Sequence, residues 1–426
     1  MKVSIFTPTH NPSYLLDVYA SIKDQGFDEW VIVPNGSCLV GDIPSEISAD
    51  PRVVIAPTES TGVVGALKRF ACSQCTGDIL VECDHDDMLI EPAIAEVRKA
   101  FQSSNVVLAY SNCAEFNQSD GASREFGPGY GWEYRDFSHR GTKYREIVSP
   151  SDHPSNASII YYSPNHLRAF RREAYEAAGG HDPSMKILDD QDLMSRLYCV
   201  GQFHHIDKCC YLYRVTGDNT WLEHNNEIQA NVLNSRRKYL PAMAEAWARR
   251  RGLRMLDLGG RFGDAGPGYE CVDINGTSGI KADLRERYPF EDNSVGIVRA
   301  HDFMEHVADK QHTMSEIHRI LAPGGMLLSE TPSTCGPNGE SGQGAFQDPT
   351  HVSYWNKNSF WYYTNAQRAR YIDNTRVRFM DALTENHFPT PWHRYHHIPY
   401  VRADLVCLKK DENGRELVRP HGLIEI

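Results

Sequence analysis

Carboxylates and histidines gather at a few points of this chain where strands are expected to end. Asp84-His85-Asp86-Asp87 closes the apolar run Asp78-Ile79-Leu80-Val81-Glu82-Cys83. Three carboxylates so close repel one another unless a cation compensates. Hard oxygen donors at that density suit Mg²⁺ or Mn²⁺ bridging a diphosphate. The competing reading is a solvated acidic turn, or a helix cap supplied by Asp87. A second acidic group, Leu188-Asp189-Asp190-Gln191-Asp192, opens a helical pattern, where carboxylates also suit the positive end of the helix dipole. Farther on, Met255-Leu256-Asp257-Leu258-Gly259-Gly260 is followed by Tyr269-Glu270-Cys271-Val272-Asp273-Ile274. A strand ending in a glycine turn, with an acid closing the next strand, suits a nucleoside cofactor held through its ribose hydroxyls. The glycines let backbone approach the ligand.

The elements that must hold these residues show in the hydrophobic periodicity. Val3–Phe6, Trp30–Val33, Arg52–Ile55 and Ile79–Glu82 read as buried parallel strands, alternating with helical patterns over Tyr14–Gln25 and Val63–Ser73. That alternation predicts a layered α/β sheet. Residues 111–160, rich in Gly, Ser, Asn, Asp and Tyr, are expected to be long loops over the sheet edge. Helices are expected over Arg171–Ala178 and Asp190–Cys199, then two short strands at Phe203–Ile206 and Tyr211–Arg214. A helical segment from His224 ends in Arg249-Arg250-Arg251-Gly252, with the glycine as C-cap. A second alternation follows, with strands at 254–258, 269–273, 295–300 and 325–330 and a helix at 310–321. The predicted division is 1–223, a helical linker 224–252, and 253–426.

The 426 residues are 41% hydrophobic and 23% charged, ordinary values for globular domains. A formal charge of -12 argues against broad docking on nucleic acid or anionic lipid. No stretch approaches the roughly 20 apolar residues of a membrane span. The start of the chain lacks a signal-peptide pattern. The 11 cysteines are scattered. Cys72 and Cys75 form a lone C-x-x-C without a second ligand pair, so free thiols and a reducing, cytoplasmic location are expected.

Four motifs in order carry a resemblance over the first half of the chain. Phe6-Thr7-Pro8-Thr9-His10-Asn11 closes the first strand and Val33-Pro34-Asn35-Gly36-Ser37 the second. The acidic run 84–87 and Leu188-Asp189-Asp190-Gln191-Asp192-Leu193-Met194-Ser195-Arg196 follow. This set resembles the inverting glycosyltransferases of the GT-A fold. The resemblance implies a nucleotide-sugar donor of UDP, GDP or dTDP type, placed by Pro8, Thr9, Asn35 and Asp84. It implies Mn²⁺ or Mg²⁺ on Asp86 with His224 as a further ligand, and Asp190 as the base that deprotonates an acceptor hydroxyl. Asp189 stands where the family usually has Glu. Asn35 stands where it usually has an acid, which loosens the expected preference for uridine.

The second half resembles the class I S-adenosylmethionine-dependent methyltransferases, a Rossmann-like fold. Beyond the glycine turn and Asp273, the matches are Ala282-Asp283-Leu284, Pro289-Phe290-Glu291-Asp292, Asp302-Phe303-Met304-Glu305-His306 and Arg319-Ile320-Leu321-Ala322-Pro323-Gly324-Gly325. The resemblance implies S-adenosylmethionine held by Gly259, Gly260 and Asp273, with Asp283 and Leu284 flanking the adenine. The usual helix after the glycines is cut to Arg261–Gly268. Bases for methyl transfer are sought in His306 and His351, the latter in Gln347-Asp348-Pro349-Thr350-His351 beside the aromatics Phe360–Tyr363. A packed lid explains that aromatic stretch equally well. His393, His396 and His397 fit a solvated loop better than a metal site.

Together the halves read as a bifunctional enzyme that transfers a sugar to a glycan or glycolipid hydroxyl and O-methylates a sugar. Besides a methyl acceptor unrelated to the glycosyl acceptor, two rivals stand beside it. One is a phage-type glycosyltransferase acting on hydroxymethylated DNA bases, against which the acidic charge counts. The other is a glycosyltransferase whose second half is a non-catalytic binding or dimerisation module. The sequence leaves self-association open.

Overall fold

The computed structural model describes residues 1–426 apart from 60–61, 127–131, 160–162, 218, 261–264, 277–278, 375, 411–412, 415–417 and 419–426. The chain divides into two compact units. The first comprises Met1–Asp152 and Asn156–Tyr239, the second Leu240–Ile426 and His153–Ser155. The division falls within the helix Asn225–Arg250.

The first unit is built on one ten-stranded sheet. Its strands are β1 (Val3–Thr9), β2 (Glu29–Pro34), β3 (Val53–Ile55), β4 (Ile79–Glu82), β5 (Met88–Leu89), β6 (Val106–Asn117), β7 (Glu133–His139), β8 (Thr142–Val148), β9 (Arg168–Arg171) and β10 (Gln202–Val215). The order is β3-β2-β1-β4-β9-β6-β10-β5, with the hairpin β7–β8 attached to β6. β3, β2, β1 and β4 run parallel, as the apolar runs predict. β2 is buried along its whole length, the mark of a strand covered on both faces. Thr7 and Trp30 within this core satisfy their polar groups there. Thr7 Oγ1 donates to the Cys83 carbonyl at 2.8 Å and accepts from Trp30 Nε1 at 2.9 Å. The helices Leu15–Ile22 and Ala93–Ala100 bury Leu15, Val18 and Ile22, and Ile94 and Val97, against the sheet. Each such side chain contributes roughly 1.5–3 kcal/mol by leaving water.

Two expectations need correcting here. Residues 111–160 hold strands beside their loops: β7, β8 and the end of β6 lie in the stretch. β7 alternates exposed and half-buried positions and is rich in polar residues, so it lacks the apolar run that betrays a buried strand. The two short strands expected between 203 and 214 are one strand, β10. Its pairing with β6 shifts register between Ile206 and Cys209 and again before Tyr211. A bulge of that kind breaks the alternation that a sequence reading relies on.

The second unit carries a seven-stranded sheet in the order β13-β12-β11-β14-β15-β17-β16. These are β11 (Arg254–Leu258), β12 (Tyr269–Asp273), β13 (Ile280–Lys281), β14 (Val295–His301), β15 (Leu321–Pro332), β16 (Phe379–His387) and β17 (Tyr400–Cys407). The strands from β13 to β15 are parallel, and β17 is antiparallel to both its neighbours. The chain moves outward in one direction from β11 to β13 and in the other from β14, so the order reverses between β11 and β14. Crevices for ligands form beyond the carboxyl ends of the strands at such a reversal. Asp309 caps the helix Lys310–Ile320 by accepting from His312 N at 2.9 Å. That helix buries Met314, Ile317 and Ile320 in a core shared with Leu256, Val298 and Trp355. Among the described residues no helix is long and apolar enough to cross a membrane. All 11 cysteines are free thiols, Cys72 and Cys75 among them.

Candidate active sites

In the first unit the carboxyl ends of β1, β2 and β4 open onto a cleft of about 290 Å³, lined among others by Pro8, Asn35, Lys68, Asp84, Asp86 and Asp190. Parallel pairing puts the three strand ends side by side, so residues distant in sequence converge. Thr9 is fully buried and does not line the cleft; its hydroxyl donates to the Asn11 carbonyl at 3.0 Å and shapes the turn.

The acidic run after β4 divides by orientation. Asp87 turns inward and is taken up by the protein, accepting from Tyr211 Oη at 2.8 Å and Arg214 N at 2.7 Å. Asp84 and Asp86 face the cleft. Burial pushes Asp84 up to about 6 against the pull of Lys68, and Glu82 and Asp86 add to the rise. Burial raises Asp86 as well. Two crowded carboxylates whose charge is disfavoured, presenting oxygen donors to one cleft, fit a hard divalent cation. His224 is not brought to them. It is exposed, faces Glu227 at 3.4 Å and lies outside the cleft lining. It directly follows the short helix Thr220–Glu223.

Across the cleft, Asp189 and Asp190 open the helix Asp189–Val200. Asp190 Oδ2 accepts from Arg168 Nη1 at 2.5 Å and Oδ1 from Gln191 N at 2.7 Å. Burial would raise its carboxyl, but Arg168 and Lys68 outweigh it and hold Asp190 below the ordinary range. Asp189 is the opposite case. It is deeper, and burial carries it to about 7 despite Lys68, with Asp190 and Glu82 adding to the rise. Beneath both lies a charge network that sequence reasoning missed. Lys68 pairs with Glu82 and stands 3.9 Å from Asp189. Arg168, with no exposed surface, reaches Asp190 and stands 3.9 Å from Glu82. The arrangement supplies one ionised, oriented carboxylate in the cleft that Asp84 and Asp86 also line.

In the second unit the glycine turn sits at the end of β11. Gly259 has φ +75°, and a side chain there would meet Phe303 at 3.0 Å. A Cβ on Gly260 would stand 2.2 Å from Asp257 Oδ2, while Asp257 Oδ1 accepts from Arg299 Nη1 at 2.7 Å. Both positions therefore require glycine for internal reasons, and they leave open backbone beside the strand end, which fits a cofactor approaching the chain closely. The loop after it, Arg261–Asp264, lies outside the described residues. Asp273 closes β12 and is partly exposed; its Oδ1 accepts from Asn275 N at 2.7 Å. Asp283 is paired with Arg285 at 2.6 Å. Leu284 is a member of the hydrophobic core. Its side chain therefore offers no surface to an adenine, and only its backbone can play the expected part.

His306 and His351 do converge, their ring centroids 5.1 Å apart, and Glu305 joins them. Glu305 stands in the run Asp302–His306, but sequence reasoning gave it no role of its own. The signal that could have found it is the Glu-His pair directly after a strand, with a second histidine downstream. The aromatic stretch resolves in favour of packing at Phe360 and Tyr363, both buried, whereas Trp361 and Tyr362 are exposed. His393 and His396 contact Trp392 at the surface.

Two strand-end sites, one acidic and one glycine-lined, stand in two α/β units. Residues 4–175 match the glycosyl transferase family 2 domain, and residues 269–329 match a methyltransferase domain. The chain thus carries a glycosyl transferase family 2 domain in its first half and a methyltransferase domain in its second. It is 25% identical over 227 residues to chondroitin synthase of Escherichia coli, covering 51% of this chain and 29% of that protein. It is 26% identical over 229 residues to hyaluronan synthase of Pasteurella multocida, covering 51% and 21%. The chain spans less than a third of the length of these relatives. Among solved structures, S. aureus TarS 1-349 in complex with UDP-GlcNAc aligns over 58% of this chain and 71% of that one, with 15% identity and a TM-score of 0.43.

Proposed function

We propose that the first domain transfers a sugar from a nucleoside diphosphate to a hydroxyl of a growing glycan with inversion, and that the second O-methylates a sugar hydroxyl. The observation that carries the first half is that Asp84, Asp86 and Asp190 line one cleft. Mn²⁺ or Mg²⁺, when held by Asp86 with Asp84 beside it, would neutralise the leaving diphosphate. Asp190 accepts the acceptor hydroxyl's proton as that oxygen bonds to the anomeric carbon and the bond to the diphosphate oxygen breaks. Arg168 fixes the rotamer of Asp190 and keeps it ionised. Pro8 and Asn35 form the wall for the nucleotide base. Similarity to polysaccharide synthases supports a glycan acceptor.

In the second domain, S-adenosylmethionine would supply a sulfonium methyl. Gly259 and Gly260 admit its amino-acid end, Asp273 accepts from the ribose hydroxyls, and the backbone at Asp283–Leu284 borders the adenine. His306 and His351, with Glu305 beside them, are the residues proposed to meet the acceptor hydroxyl. The test uses the full chain with a panel of nucleotide-sugars, Mn²⁺ and glycan oligosaccharides, followed by methyl-labelled S-adenosylmethionine. Extension of an oligosaccharide and label in a sugar methyl ether are the expected products. Release of nucleotide without any glycan product, or label in no sugar, would overturn the corresponding half.

A further inference from the structure

The cluster in the second domain has more definition than a proton acceptor needs. One ligand atom each from Glu305, His306 and His351 lies within 4.8 Å of the others. His351 Nε2 stands 3.9 Å from Glu305 Oε1. Two donors bound to one zinc-class ion at about 2.0–2.2 Å each can be no more than roughly 4.4 Å apart, so this pair already has the required spacing.

Each ring is oriented by its other nitrogen. His351 Nδ1 bonds the Ala345 carbonyl at 3.0 Å, and His306 Nδ1 bonds the Thr350 carbonyl at 3.2 Å. A carbonyl only accepts, so Nδ1 donates in both rings and Nε2 is the nitrogen left to ligate a metal. A metal-binding histidine is held in the same way. The carboxylate is oriented as well. Thr331 Oγ1 donates to Glu305 Oε2 at 2.5 Å, leaving Oε1 toward His351. The Glu305 carbonyl accepts from Val352 N at 2.9 Å and Ser353 N at 3.0 Å, which ties the loop bearing His351 to the turn bearing the other two residues.

Access points the same way. Glu305 is 2% exposed, and the Thr331 hydroxyl and the His351 ring face its carboxylate. His306 is exposed while the side chain of His351 is nearly buried, so the cluster opens on the His306 side, as in sites that keep positions for a substrate. The cluster follows β14 directly, at the reversal of strand order, and Phe303 between them packs on Gly259 of the cofactor turn.

We infer that Glu305, His306 and His351 form a binding site for one divalent transition-metal ion of the zinc class, distinct from the oxygen-lined site of the first domain. Its role in orienting the acceptor hydroxyl rests on the O-methylation reading above; the binding of the ion does not. An Nε2 lone pair given to a metal cannot also take a proton, so the site makes the two histidines ligands rather than bases.

The test is a titration of the full chain, freed of metal by chelation, with Co²⁺. It is carried out on Asp86→Asn protein so that the first domain's site does not contribute. The expected result is saturation at one equivalent with a visible band of nitrogen-ligated cobalt, displaced by Zn²⁺. His306→Ala, an exposed position whose loss leaves the core intact, is expected to weaken binding at least tenfold, and His351→Gln likewise. Absence of the band at 100-fold excess, or equal affinity in His306→Ala, would overturn the site. S-adenosylhomocysteine binding is measured on the same samples by calorimetry. Cobalt binding without S-adenosylhomocysteine binding would sink the methylation reading and leave the metal site standing. The reverse result would remove the metal site alone.

Discussion

The two sites solve the same problem, holding charge at the end of a parallel strand, with opposite means. The first buries a dense ionic network: Lys68, Glu82, Arg168, Asp189 and Asp190 are within bonding or near-bonding distance of one another and largely shut off from water. The second relies on imidazoles, backbone carbonyls and one buried acid, and leaves a face open at His306. A network of fixed charges sets the ionisation of its members strongly. It splits two adjacent aspartates, one held ionised and one carried to about 7. A hydrogen-bonded cluster instead fixes orientation and leaves charge to be completed by a ligand. The first domain should therefore fail by electrostatics and the second by loss of contacts.

The largest effect is expected from Asp190→Asn. Removing a general base typically costs 10²–10⁴ in rate, and the amide keeps the shape of the side chain. Glycosyl transfer should fall by about 10³-fold or more while nucleotide affinity, measured by calorimetry, stays within a factor of about three. Retained turnover would refute the assignment.

Next comes Arg168→Met, which leaves Glu82 and Asp190 without their buried partner. Breaking a buried ion pair from one side costs about 3–5 kcal/mol. Urea denaturation should show a loss of that order for the first domain, with the second domain's transition unmoved.

A pH effect of similar kind is expected at Glu115. Burial lifts this acid to about 7, with Arg124 opposing. The folded chain binds its proton more tightly than the unfolded chain, whose carboxyl titrates at 4.5. The associated stability is therefore complete below about pH 4.5 and is lost as pH rises toward 7. The difference is on the order of 3 kcal/mol. Glu115→Gln should flatten that stretch of the stability curve, and an unchanged slope between pH 5 and 7 would count against it.

The smallest effect is expected from Asp273→Ala. Losing hydrogen bonds to a charged acceptor costs about 1.5–3 kcal/mol, so S-adenosylhomocysteine affinity should drop roughly 10- to 150-fold. Glycosyl transfer should not change, and parallel loss of both activities would break the separation of the two sites.

What the sequence disclosed follows from how far apart the cooperating residues lie. β1, β2, β4 and β11 were legible because strands buried on both faces are continuous apolar runs. The chemistry at their ends was legible because each motif is local. The polar hairpin β7–β8 and the late strands β16 and β17 were not. Their burial depends on neighbours that pair across long separations. The same holds within the sites. Asp84, Asp86 and Asp190 announce themselves by clustering, but Arg168 is a lone arginine on a short strand. Only the antiparallel pairing of β9 with β4 brings it beside Glu82. Asp87 and Leu284 show the converse, since both stand in recognisable motifs yet are turned into the protein.

The most direct test of two independent sites is a thermal-shift panel on the full chain. UDP, GDP, dTDP and CMP are each tried with and without Mn²⁺, and S-adenosylhomocysteine separately. A ligand that binds only the folded state raises the melting temperature by mass action. The account predicts a Mn²⁺-dependent shift from at least one nucleotide, abolished by Asp86→Asn, and a separate shift from S-adenosylhomocysteine that survives that substitution. Silence from every nucleotide, or a S-adenosylhomocysteine shift lost together with Asp86, would contradict it.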